Sequence, residues 1–365
     1  MKVATLLLTL TLGTNALAGD RPVDLVIGLD TSNSMDGLIA AAKHKLWDIV
    51  VELGRAKPRP YLRVGLYAYG TPAYGESTGY VRLLTPLTDD LDTVYGKLTE
   101  LRTRGGDEYV ARVIRAATLG QPWSKEPDAL KIIVVAGNEE ATQDPRYKSL
   151  DEAKRASAAG IFVNTLFCGR SFDWVLNGWR RVAEAGGGQF ACINQKHTAT
   201  IGTPFDKKLA ELGAALNQTY VGYGVHAQEG RRQQEAVDRA SLEASPAAGA
   251  MRAVAKVSGQ YRNTRWDLLD ARSQPGFDLG RVKAADLPAE MQRQTLAERA
   301  AYLDQKATER AELQQQITEL GRQRQQFLAA KRQQATNADP AFDAAMLSAV
   351  RAQAERKGMT FEVPP

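Results

Sequence analysis

What most constrains the fold of this chain is a regular alternation of buried-type strands and helical stretches, running from residue 21 to about residue 223. It opens with Val23-Asp24-Leu25-Val26-Ile27-Gly28-Leu29, apolar at nearly every position, as expected of a strand covered on both faces. Leu38, Ala42, Leu46, Ile49 and Leu53 then recur at helical spacing and stop at Gly54. Leu62 to Tyr69 and Tyr80 to Leu87 read as strands, and Leu91 to Leu101 and Tyr109 to Leu119 as helices. Ala129 to Val135 is the strongest strand pattern. After it come a helix from Leu150 to Ala159, a strand from Ile161 to Phe167, a helix from Phe172 to Ala185, a short strand from Gln189 to Ile193 and a closing helix from Phe205 to Leu216. This order implies an α/β fold, a doubly wound, mainly parallel, Rossmann-like sheet with helices on both faces. Ligands of such folds sit outside the carboxyl ends of the strands, so the strand-to-helix turns are where chemistry is expected.

Composition narrows the partners. The 365 residues are 44% hydrophobic and 24% charged, an ordinary globular profile. Forty-seven Lys and Arg against 42 Asp and Glu leave +5, too slight an excess to argue for nucleic acid. Two cysteines exclude a disulfide scaffold and a four-cysteine zinc site. Lys2, the apolar run Val3 to Leu12 and Ala16-Leu17-Ala18 fit a secretory signal over residues 1–18, with Gly19 as mature start. No later stretch reaches the roughly 18 apolar residues a membrane span needs. An exported protein, periplasmic or extracellular, without a transmembrane segment is expected.

From residue 225 to 365 strand signals nearly vanish and a mostly helical region is expected. Its one aromatic knot is Tyr261-Arg262-Asn263-Thr264-Arg265-Trp266. From Leu296, the residues Leu303, Leu313, Ile317, Leu320 and Phe327 form a seven-residue stripe, interrupted by Arg299, Lys306, Arg310 and Arg324. Either a docking arm or helical hairpin, or a dimeric coiled coil, would use such a stripe. Cys168 ends the fifth strand of the alternating region and Cys192 lies in the short sixth, and in an oxidising compartment they either bridge or stay as small buried hydrophobes.

The candidate chemistry is Asp30-Thr31-Ser32-Asn33-Ser34, directly after the first strand and before a helix. A carboxylate and two hydroxyls on one turn offer the hard oxygen ligands that Mg²⁺, Mn²⁺ or Ca²⁺ prefer. The same residues are also ordinary turn and cap formers. His44, His197 and His226 have no acidic or cysteine partner at ligand spacing, and Gly186-Gly187-Gly188 reads as a helix end and turn.

In that position the string resembles the metal-ion-dependent adhesion site of the von Willebrand factor A (VWA) domain, and the resemblance covers residues 22 to about 223. It implies a VWA domain over residues 19–224, with Asp30, Ser32 and Ser34 as first metal ligands. From the second loop, Thr103-Arg104-Gly105-Gly106-Asp107-Glu108, it implies Asp107. The third loop departs from the family: Ala136-Gly137-Asn138-Glu139-Glu140 has Asn138 where an aspartate is usual, so a neutral oxygen replaces a charge. In the order of strands the resemblance implies, those bearing Cys168 and Cys192 are neighbours. The function implied is a non-enzymatic, exported binding or adhesion protein. It would hold a divalent cation, Mg²⁺ first, and capture a partner protein through an Asp or Glu carboxylate. The alternatives are a cell-envelope structural or assembly protein with a degenerate metal site, and a metal-dependent hydrolase with Glu108, Glu139 or Glu140 as base.

Overall fold

The computed structural model describes residues 20–33, 36–169, 172–193, 201–334 and 342–361, with backbone only at 36–38, 40–45, 173, 193, 332–334 and 342–346. The expected signal at 1–18, Ser34 and His197 lie outside the described residues. Six strands form the main sheet: Arg21–Asp30 (β1), Pro60–Tyr69 (β3), Val81–Thr88 (β4), Leu130–Gly137 (β5), Phe162–Cys168 (β6) and Gly187–Ile193 (β7). Their order is β4-β3-β1-β5-β6-β7, and only β4 runs antiparallel to its neighbour. Ala56–Lys57 (β2) pairs instead with the distant Thr360–Phe361 (β8).

Helices cover both faces, as the near-continuous apolar strands require. On one face, Val23, Leu25 and Leu29 of β1 pack with residues of Asp36–Gly54 (α1) and Leu91–Glu100 (α2). On the other, Val26 of β1 joins Val110–Gly120 (α3), Ser149–Ala158 (α4) and Asp173–Ala185 (α5). Asp24, the one charge inside the β1 run, is fully buried but pairs with Arg63 at 2.8 Å and accepts from the Ser124 backbone, so the strand loses nothing by it.

The remaining helices are Asp206–Asn217 (α6), Ala227–Ala244 (α7), Pro246–Lys256 (α8), Leu268–Arg272 (α9), Ala289–Gln292 (α10), Leu296–Gln334 (α11) and Phe342–Arg356 (α12). They do not form a separate body. Met251, Tyr261, Trp266, Ile317, Val350 and Met359 belong to the same apolar cluster as Leu25 and Leu46. The aromatic knot is a hub of that seam. Trp266 stacks on Tyr220 at 5.5 Å, and the Tyr261 hydroxyl donates to Asp92 of α2. Arg252, fully buried, lies between the rings of Trp47 and Tyr261 and pairs with Asp92 at 2.7 Å and Asp238 at 2.8 Å.

The seven-residue stripe of α11 is satisfied within the chain: Leu303 and Ile317 are fully buried against it. Two of the arginines that break the stripe are buried with it. Arg310 bonds Asp267, Asp270 and Thr219, and Arg324 bonds Asp206 at 2.7 Å. Among the described residues α11 thus packs as a docking arm would, with Leu313, Leu320 and Phe327 half-buried. The expected neighbourhood of the cysteine strands is also observed, since β6 pairs with β7. The register sets Phe167 beside Cys192 and Cys168 beside Ile193, so the two thiols issue from opposite faces and no disulfide joins them.

Candidate functional site

Asp30 is the last residue of β1, at the centre of the carboxyl edge of the sheet, and is fully buried. The turn after it is fixed by its own polar groups. The Ser32 backbone N–H donates to Asp30 Oδ1 at 2.7 Å, and the Thr31 N–H and hydroxyl both donate to the Tyr69 carbonyl of β3 at 2.8 Å. Gly70 follows at φ +86°, and a side chain there would begin 2.6 Å from Asp30 Oδ1, so only glycine lets β3 leave the sheet at this point.

The second loop is pressed against the first. The Arg104 N–H donates to the Thr31 carbonyl at 2.8 Å. A Cβ on Gly105 would meet Asn33 Nδ2 at 3.0 Å, and one on Gly106 would meet the Gly70 carbonyl at 2.9 Å. The loop thereby delivers Glu108, which is buried, so that its carboxyl group faces that of Asp30 and the Ser32 hydroxyl bonds to both. Burial first of all pushes both carboxyls above the ordinary range. The facing Asp30 raises Glu108 further, and Glu139 adds negative charge to both from the third loop. Of the two, Glu108 is pushed up further and holds its proton the more tightly.

The residues expected from sequence separate here. Asp30 and Ser32 are in the site. Asp107, expected as the second carboxylate, is exposed and accepts from the Tyr109 hydroxyl at 3.3 Å; the structure brings its neighbour Glu108 to Asp30 instead. Alternation explains the difference. The extended stretch entering α3 buries Glu108 and Val110 and turns Asp107 outward, and the apolar Val110 was the signal that set this parity. Asn138 is half-buried just past β5, in a third loop held by the Trp179 indole N–H donating to the Glu139 carbonyl at 2.7 Å. Thr71, which sequence reasoning did not single out, is buried beside Gly106.

The donor set suits a hard cation. Asp30 Oδ2, Glu108 Oε2 and Thr71 Oγ1 are all buried and accept no hydrogen bond, a costly condition that a positive ion would relieve. Among the described residues no three His, Cys, Asp or Glu side chains stand close enough to hold a metal together. Such an ion would have to rest on two carboxylates completed by neutral oxygens. His226 is exposed at the start of α7 and takes no part.

No known family description matches the chain, and no curated protein does. Solved structures similar to it include the conserved hypothetical protein BatB from Bacteroides thetaiotaomicron, 19% identical over 48% of this chain and 94% of that one, with a TM-score of 0.36. The SpRpn10 VWA domain is 16% identical over 47% and 88%, at 0.37. A von Willebrand factor type A protein from Catenulispora acidiphila is 18% identical over 49% and 40%, at 0.37. Values this low carry no function across. It is the order of strands, the Asp30 turn at the end of β1 and the second loop packed upon it that agree with what the VWA resemblance implies.

Proposed function

We propose that this chain is an exported, non-enzymatic binding protein. Its sheet edge would hold a divalent cation, with Mg²⁺ first and Mn²⁺ or Ca²⁺ as other candidates, and would capture a partner protein through an Asp or Glu carboxylate. The observation that carries this reading is the facing pair Asp30 and Glu108, buried at the carboxyl end of the central strand, with Asp30 Oδ2 and Glu108 Oε2 left without a donor. Asp30, Ser32 and Glu108 would hold the ion, with Thr71 and Asn138 as neutral oxygens at its edge. Bound there, it supplies a coordination position that a partner carboxylate can take from water. The chain's own work is to keep two like charges together in the interior, so that the pair becomes fully ionised only when a cation balances it.

Export rests on the N-terminal pattern of Lys2, Val3 to Leu12 and Ala16 to Ala18. Among the described residues no helix is long and apolar enough to cross a membrane.

Calorimetric titration of the purified protein with Mg²⁺ and Mn²⁺ tests the reading. One site per chain is expected, lost in Asp30→Asn and in Glu108→Gln while circular dichroism is unchanged. Wild-type protein that takes up neither ion overturns it.

A further inference from the structure

The rim of the site is not uniform in charge, and one residue of it has no use within the chain. Arg104 lies on the second loop, its N–H held by the Thr31 carbonyl between Asp30 and Ser32. The following two glycines fit closely against Asn33 and Gly70, so this part of the loop has little room to move. Its backbone is thus tied directly to the Asp30 turn. The side chain, by contrast, is exposed, and among the described residues it makes no ion pair or hydrogen bond.

Most other arginines here are engaged. Arg63, Arg112, Arg252, Arg310 and Arg324 pair with buried or half-buried carboxylates, and even the exposed Arg59 and Arg322 hold one. Arg104 also leaves Asp107, three residues on, to the Tyr109 hydroxyl. On the far side of the site, at the end of β5, stand Glu139 and Glu140. An anionic partner approaching the Asp30 turn meets Glu139 and Glu140 on the β5 side, and on the other an unengaged guanidinium next to Asp107, the one exposed carboxylate of that loop. That gradient gives the approach a direction.

We infer that Arg104 is a specificity residue of the carboxylate-capturing site. The ligand it selects is a peptide segment with two acidic residues, one for the cation and a second, one or two positions away, for the Arg104 guanidinium. This rests on the cation reading given above. The spacing follows from reach: residues i and i+2 of an extended segment are about 7 Å apart, and an arginine side chain anchored beside Thr31 covers that distance. Guanidinium takes a carboxylate in two parallel hydrogen bonds, which favours the second acid over an amide of the same shape.

The test uses the full chain in saturating Mg²⁺ at low ionic strength, with two synthetic capped pentapeptides, Gly-Asp-Gly-Asp-Gly and Gly-Asp-Gly-Asn-Gly, titrated by NMR. Wild-type protein is expected to bind the doubly acidic peptide about fivefold more tightly, the size an exposed but well-placed pair reaches. Arg104→Gln should reduce the preference to about twofold, the statistical factor for two carboxylates against one, without altering Mg²⁺ uptake or the affinity for the singly acidic peptide. A preference of about fivefold that persists in Arg104→Gln, or one no greater than about twofold in the wild type, overturns the inference and leaves the cation reading standing. If neither peptide binds in a Mg²⁺-dependent way, the inference falls, and calorimetric Mg²⁺ uptake decides the cation reading by itself.

Discussion

Two carboxyl groups placed face to face in a protein interior are unstable company, and most of what is testable at the scale of single residues follows from that. Because Asp30 and Glu108 both hold their protons more tightly folded than unfolded, the folded state binds more protons above the ordinary carboxylate range. Stability from this pair is therefore present at acid pH and lost as pH rises. Thermal melts in chelator should show the melting temperature falling from mildly acid to mildly alkaline pH. Glu108→Gln should remove most of that slope and be the more stable protein at pH 8, by about 1 kcal/mol. Added Mg²⁺ should restore the wild type but not the variant. An unchanged slope in Glu108→Gln would show that the pair is not the source. Asp30 and Ser32 were legible because a turn right after a buried strand leaves few alternatives. Glu108 was not, because which of two adjacent acids turns inward depends on the parity imposed by Val110 and on loop packing that no string records.

At the scale of elements, strands and helices of the sheet region could be read almost end to end, since a strand covered on both faces and an amphipathic helix differ plainly in period. The helix α11 was ambiguous for a physical reason. A stripe broken by arginines looks poorly suited to burial until the carboxylates that receive them, Asp267, Asp270 and Asp206, are seen on other elements. Replacing Arg310 by Leu should cost about 3 kcal/mol or more in urea denaturation, because the fully buried Asp267 loses its cation. A cost below 1 kcal/mol would mean that α11 docks through its apolar stripe alone. A second test concerns Gly230 of α7, which lies flat on the Trp266 indole: an added Cβ would sit 2.4 Å from ring atoms. Alanine would gain up to about 1 kcal/mol of helix propensity, but overpacking costs about 1–3 kcal/mol. The ring has little freedom to yield, since its N–H is held by Asn263 at 3.1 Å. Gly230→Ala should therefore lower the melting temperature rather than raise it.

At the scale of the whole molecule, sequence suggested two regions meeting at about residue 224, and the structure shows one apolar cluster running through both. Limited proteolysis between residues 224 and 250 should not release a stable C-terminal fragment, and thermal unfolding should follow a single transition. Two separate transitions would show that the seam around Trp266 is weaker than its packing implies. The aromatic knot at Tyr261 and Trp266 marked in the sequence where the seam would lie; which helices complete it was not legible, because helices that cover a neighbour look, residue by residue, like helices that cover one another. Its farthest reach is α12 and β8. Gln353 locks onto Asn164 through two buried hydrogen bonds, Arg351 pairs with Glu52, and Thr360 and Phe361 finish the edge of β2. A polypeptide emerging residue by residue must therefore carry β7, and the part of α1 that α12 covers, bare through the making of the six helices α6 to α11. Sheet surface left open for that long invites neighbouring chains. In a chain of this design the segment made last closes surface that was made first.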